Sequence, residues 1–400
     1  MTVPEPEVMG PLEGIRILSF TQFLLGPAAV QYLSDLGADV VKIEAPTGAW
    51  ERTWSGGESF VNGVSVFFML ANRNARSVAL DLKSQEGLEA ARQLIGTADV
   101  LVENFRPGVM DSLGLGYEAV GKENPRLIYA SASGYGSSGP FRKLPGQDLL
   151  LQALTGLAAN TGSARETPVP VGAAVIDQHG ASLLAMGVLA ALLHRERTGK
   201  GQHVELNMVQ AGLDLQTEPL TYYLNGGKVS VAEEKLGSPF HPAPYGVYAT
   251  QDGHVAISLS PVATVRQALD GAPELLPFED PSIALSARNE IRRALAPLIA
   301  SYATGEIVEK LRAGGVWCTA VNDFAAALMD PVVKEVDPIM EIDHPEAGTV
   351  RLLRHPVTYS SINTAPRRTP PRLGEHTEEV LSELSGTPAG GLKSGDLSLT

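Results

Sequence analysis

The stretch "IRILSFTQFLLGPAAVQYLSDLGADVVKIEA" (Ile15–Ala45) decides the fold. "IRILSF" (Ile15–Phe20) is a short apolar run of strand length, and "ADVVKIEA" (Ala38–Ala45) is a second. Between them "AAVQYLSDLG" (Ala28–Gly37) reads as a helix that stops on a glycine. Short apolar strands separated by helices build a parallel sheet covered on both faces.

The alternation continues through the first half. "SVALDLK" (Ser77–Lys83) reads as a strand, and Ser84 can N-cap the helical "QEGLEAARQLIGTA" that follows. "DVLVEN" (Asp99–Asn104) and "LIYASAS" (Leu127–Ser133) are further strands. After "TGKGQHVELNM" (Thr198–Met208) the texture changes. "YGVYAT" (Tyr245–Thr250) and "HVAISLS" (His254–Ser260), joined through Gln251–Gly253, predict a hairpin, with helical segments to about Arg312. "GTVRLLRHPVTYS" (Gly348–Ser360) returns to strand texture.

Composition narrows the functional classes. The chain has 400 residues, 44% of them hydrophobic, enough for more than one core. A net charge of −14 argues against a nucleic-acid or anionic-membrane surface, so an anionic ligand would need a local site of Lys, Arg and backbone N–H groups. The single cysteine, Cys318, excludes an internal disulfide and a cysteine-based zinc site, and it reads as a small buried hydrophobe. The eight histidines show no metal-ligand spacing, so no metal is expected. "MTVPEPEVMG" lacks the basic leader and apolar core of a signal peptide, and the longest apolar run, Ala181–Leu193, is short for a bilayer span. These features predict a soluble cytoplasmic protein.

"GYGSSG" (Gly134–Gly139) follows a strand and matches the dinucleotide-binding glycine pattern. Pro140 and Pro145 interrupt the helix that pattern requires, and no acidic strand end follows, so it reads as a glycine-rich loop. Asp177 lies in "VGAAVIDQHGASLLAMGVLAALL" (Val171–Leu193), a carboxylate between apolar segments. It can simply N-cap the helix. It can equally be a poorly hydrated carboxylate, kept ionised by the helix dipole, that attacks an activated acyl carbon. Asp148, in "GQDLLLQALTGL", has the N-cap reading more strongly. Lys83 and the "ENFRPG" turn (Glu103–Gly108), with exposed Arg106, fall at strand C-termini, where open parallel sheets bind ligands.

Together these stretches resemble the family III CoA-transferases, the superfamily of formyl-CoA and carnitine CoA-transferases and α-methylacyl-CoA racemases. The resemblance is carried by "PLEGIRILSFTQFLLGPAA", "LGADVVKIE", "ADVLVENFRPGVMDSLGLGYE", "GVLAALLHRERTGKGQHVELNM" and "RLGEHTEEVL", in order along the chain. It implies an α/β fold with a Rossmann-like large domain built from both chain ends and a small α+β domain. The boundaries expected are 10–210 for the first part of the large domain, 211–224 for a linker, 225–328 for the small domain, 329–386 for the return and 387–400 for a flexible tail. It also implies an interlocked homodimer with the active site between large and small domains.

The resemblance implies that Asp177 attacks an acyl-CoA donor and carries an aspartyl anhydride and then an aspartyl-CoA thioester before CoA passes to a carboxylic acid. Acyl-CoA is a substrate, and no tightly bound cofactor is implied. The expected CoA contacts are Gln22, Phe23, Leu24, Leu80, Lys83, Asn104, Phe105 and Arg106. Gly134, Tyr135, Gly136 and Gln147 are expected in an active-site loop. The alternative is a racemase or epimerase, which needs a histidine where this chain has Gln147; glutamine cannot cycle a proton near neutral pH. Arg142, Lys143, His179 and His241 are candidate partners for a second carboxylate, a lean towards dicarboxylic acids.

Overall fold

A computed structural model describes residues 10–162, 168–228 and 237–385. The expected flexible tail, 387–400, and the segment 1–9 lie outside the described residues. Six strands form one sheet: β1 (Arg16–Phe20), β2 (Asp39–Glu44), β3 (Ala75–Ala79), β4 (Val100–Glu103), β5 (Ile128–Ser133) and β6 (Gln202–Asn207). Every pairing is parallel and the spatial order is β3-β2-β1-β4-β5-β6. The order reverses between β1 and β4. In open parallel sheets such a switch point opens a crevice beyond the strand C-termini, because the following connections leave to opposite faces.

Alternation along the strands explains the core. Leu18, Phe20, Val41, Ile43, Leu101 and Tyr129 gather on one face, with Leu94 and Ile95 from α2 (Gln85–Gly96). Ser84 caps α2 as its sequence predicts, its hydroxyl accepting from Gly87 N at 3.0 Å. α1 (Leu25–Asp35) begins three residues earlier than the reading from Ala28. β3 is shorter than expected, ending at Ala79. Leu80 turns into the core and Asp81 Oδ1 accepts from Lys83 N at 2.9 Å, so Lys83 stands in a turn rather than at a strand end.

The apolar run at Ala181–Leu193 belongs to a 24-residue helix, α3 (Val175–Thr198). By length and composition α3 is long enough to cross a bilayer, contrary to the estimate from the run alone. It packs instead on α1, β5 and β6, burying Ile176, Gly180, Ala181, Leu184, Val188 and Ala191.

The chain divides into two compact units. The larger holds the described residues up to Asp148, then Val175–Ala211, then those from Asp337 onward. Its returning segment adds an antiparallel pair, Ile339–His344 with Gly348–Leu353, and α4 (Thr377–Ser385). The return is fastened by Arg76, 4% exposed, which meets Asp39 (2.6 Å), Glu379 (2.9 Å) and Glu383. The smaller unit is Leu149–Ala174 with Gly212–Val336. The predicted hairpin is present, Gly246–Ala249 with His254–Ile257, and Cys318–Ala320 adds a third strand. Residues 211–224, expected as a linker, are largely helical: Met208–Asp214 and Thr217–Leu224 are helices.

Candidate active site

Asp177 is not the N-cap of α3. The helix starts at Val175, which puts Asp177 in its first turn. The role of capping falls to Asp148, 28 residues upstream of Ile176 and 6% exposed. Its Oδ2 accepts from the backbone amides of Ile176 (2.8 Å) and Asp177 (3.0 Å), two of the donors a helix start leaves unpaired. Asp148 itself opens a short helix, Asp148–Leu154.

This arrangement reverses the expectation that α3 holds the Asp177 carboxylate ionised. Among the described residues no donor bonds that carboxylate, and the amides that could have done so serve Asp148. Burial and, secondarily, the neighbouring Asp148 charge push its pKa up to about 7. A carboxylate without hydrogen bonds and with raised basicity is an activated nucleophile.

The crevice at the switch point is built by two loops that hold each other. Asn104, after β4, accepts from Gln22 N (2.9 Å) and donates through Nδ2 to Gln22 O (2.8 Å), after β1. The neighbouring Phe105 amide donates to Glu103 Oε2 at 2.9 Å. Glu103 is raised to about 7, by burial first and then by Asp111 and Glu205. Asp177 belongs to the same neighbourhood: Gly180, one turn along, lies so close to α1 that an added Cβ would sit 2.8 Å from Leu25 Cδ1. Only a residue without a side chain lets α3 approach the start of α1 this closely.

The remaining expected site residues fall as follows. Phe23 is 47% exposed, whereas Leu24 is buried beneath the loop. Leu80 is 7% exposed and packs in the sheet's core, so little of it is left for a ligand. Lys83 and Arg106 are exposed. Gly136, at φ 92°, donates its amide to Ser133 Oγ, and Ser137 is pinned to Glu205 through both N and Oγ (2.8 Å each). No helix follows these glycines. Gly134 instead serves close packing: a Cβ there would lie 2.7 Å from Gly146 Cα, which brings the loop against the residues leading to Gln147 and Asp148. Tyr135 is half-buried and Gln147 exposed. Of the candidates for a second carboxylate, His241 pairs with Glu218 at 3.1 Å, and Arg142 and Lys143 are exposed. Among the described residues no group of three His, Cys, Asp or Glu side chains could hold a metal ion.

The family model for CoA-transferase family III matches residues 12–377. The chain belongs to that family. It is 34% identical over 385 residues to a mouse succinyl-CoA:glutarate CoA-transferase, covering 94% of this chain and 87% of that protein. It is 33% identical to a succinyl-CoA:mesaconate CoA-transferase of Haloarcula hispanica, covering 97% and 100%. Among solved structures, an aspartate-to-alanine mutant of Rv3272 from Mycobacterium tuberculosis superposes with a TM-score of 0.81 at 32% identity, covering 93% and 98%. The protein is therefore a CoA-transferase with an α/β fold around a parallel sheet, and these relatives do not favour the racemase alternative.

Proposed function

We propose that Asp177 carries CoA from an acyl-CoA donor, succinyl-CoA first among them, to a free carboxylic acid. The Asp177 carboxylate attacks the thioester carbon; the C–S bond breaks and an anhydride forms with release of the CoA thiolate. The thiolate then attacks the Asp177 carbonyl, giving an aspartyl-CoA thioester and the donor's free carboxylate. An acceptor carboxylate repeats the two steps in reverse, releasing the new acyl-CoA and the original Asp177 carboxylate. No proton or electron is gained or lost over the cycle.

The observation that carries this reading is the donorless, half-buried carboxylate one turn before the Gly180–Leu25 contact, beside the β1–β4 crevice. A low-polarity setting also protects an anhydride from water. We assign CoA binding to the Gln22–Asn104 clasp, Phe105, Arg106 and Lys83 over a Rossmann-like sheet, a reading supported by the two bonds that hold the clasp together. The relatives' names support succinyl-CoA as donor. We also assign a cytoplasmic location and a homodimer. The latter is supported by an apolar stripe left uncovered on α3, Met186 (59% exposed), Leu189 (37%) and Leu193 (56%), at helical spacing.

The test is mass spectrometry of reactions containing succinyl-CoA and free acids, with hydroxylamine added to trap an activated aspartyl group. Wild type should form a new acyl-CoA and a hydroxamate at Asp177, and Asp177→Ala neither. Transfer by Asp177→Ala at the wild-type rate would overturn the assignment.

A further inference from the structure

Two polar side chains are buried on one face of a short helix that is otherwise apolar. In "DLLLQAL" (Asp148–Leu154) Asp148 and Gln152 stand four residues apart, one above the other, and are 6% and 2% exposed. Buried polar groups cost free energy unless they are bonded, so their partners identify what this face holds. Asp148 accepts from the amides of Ile176 and Asp177. Gln152 takes the residues just upstream: its Oε1 accepts from Val171 N at 2.8 Å and its Nε2 donates to Ala173 O at 3.2 Å. Residues 171–174 belong to no helix or strand, so no ladder fixes their backbone.

The local sequence favours a different start for α3. Asp is among the best N-caps and Ala among the poorest, yet the helix opens at Val175, directly after Ala174. Its first two residues, Val175 and Ile176, are β-branched and therefore weak helix formers. A helix left to its own sequence would begin after Asp177, whose carboxylate would then accept from the amides of His179 or Gly180. Hydrogen bonds to the ionised form stabilise it and make it the weaker nucleophile. The observed start spares Asp177 those bonds, and Gln152 holds the chain that leads into it.

We propose that Gln152 is a positioning residue for Asp177: together with Asp148 it fixes the start of α3 at Val175 and so withholds the N-cap position from the nucleophile. The inference rests on Asp177 as the nucleophile and adds how its carboxylate is kept free of donors. Gln152 acts through the place where the helix begins, not on the substrates.

Stability and turnover test it separately. Gln152→Met keeps the length of the side chain and removes the bonds to Val171 and Ala173. At pH 8.5, Asp177→Ala should raise the Tm of wild type, because it removes an ionised group without donors. In the Gln152→Met background the same substitution should lower the Tm, because there Asp177 has become the cap. A change of the same sign in both backgrounds overturns the proposal, since a fold that was merely loosened would shrink the gain without reversing it. Should Gln152→Met not fold, Gln152→Glu keeps the acceptor for Val171 N and loses the donor to Ala173 O. The gain from Asp177→Ala should then be at most half that in wild type, and an undiminished gain overturns the proposal. In turnover with succinyl-CoA and a free acid, Gln152→Met should lower kcat at least tenfold and leave KM for succinyl-CoA within twofold. A raised KM with unchanged kcat overturns it, since Gln152 would then serve binding. If wild type transfers CoA to no acid, the nucleophile assignment fails, and the Tm comparison still decides where α3 begins.

Discussion

Replacing Asp177 by asparagine should make the protein more stable, and by an amount that depends on pH. In the fold the carboxyl pKa is about 7, against an ordinary value of 3.8. Between those values the folded chain keeps a proton that the unfolded chain has released, so stability falls as pH rises through the window and the full loss is present above about 7. At 1.36 kcal/mol per pH unit the ionised group costs the fold about 4 kcal/mol at pH 8.5 and about 2 kcal/mol at pH 5.5. Asparagine resembles the neutral acid in shape and never ionises. Urea denaturation of wild type and Asp177→Asn at the two pH values should therefore give a gain that grows by about 2 kcal/mol from the lower to the higher. A gain that does not grow with pH, or an asparagine variant less stable than wild type at pH 8.5, would refute the account of Asp177 as an uncompensated, half-buried carboxylate.

The same titration governs turnover. Because the nucleophile is the ionised form, kcat/KM should fall about tenfold per pH unit below about 7, measured with succinyl-CoA and a saturating acid. Asp148→Asn should shift that midpoint downward, since the Asp148 charge raises the Asp177 pKa while an amide oxygen can still accept from Ile176 N and Asp177 N. A midpoint that stays put would show that Asp148 acts only through helix capping. Asn104→Ala removes both bonds to Gln22 and should raise KM for acyl-CoA by about tenfold, equivalent to about 1.4 kcal/mol, with a smaller change in kcat. An unaltered KM would separate the clasp from CoA binding.

Much of both units was legible because the signals are local. The strand–helix–strand run from Ile15, the Ser84 cap and the hairpin across Gln251–Gly253 each depend on neighbours in sequence. The errors share a different origin. Reading Lys83 at a strand end overlooked Asp81, whose side chain turns the chain back after Leu80 enters the core. Residues 211–224, expected as a linker, carry the end of one helix, Met208–Asp214, and all of another, Thr217–Leu224. At the site, Asp177 stood out as a charge in an apolar run. Its partner did not, because Asp148 caps a helix that begins 27 residues further on, and a sequence window assigns it to the helix it opens. The contact between the Phe23 and Trp50 rings was equally hidden, since they follow different strands and meet only once β1 and β2 pair.

The return of the chain from Asp337 onward to the larger unit has a consequence for synthesis. A ribosome that has just released Val336 has emitted all of the smaller unit but leaves the larger one unfinished. Until Glu379 and Glu383 emerge, Arg76 lacks two of its three carboxylate partners, and the backbone of Ser77 and Ala79 lacks His376 N and the Thr377 hydroxyl. The edge strand β3 is therefore a waiting template for some 300 residues of translation. A messenger truncated before α4 would yield a chain with an open sheet edge and a stranded buried cation, a species suited to chaperones or aggregation rather than to catalysis.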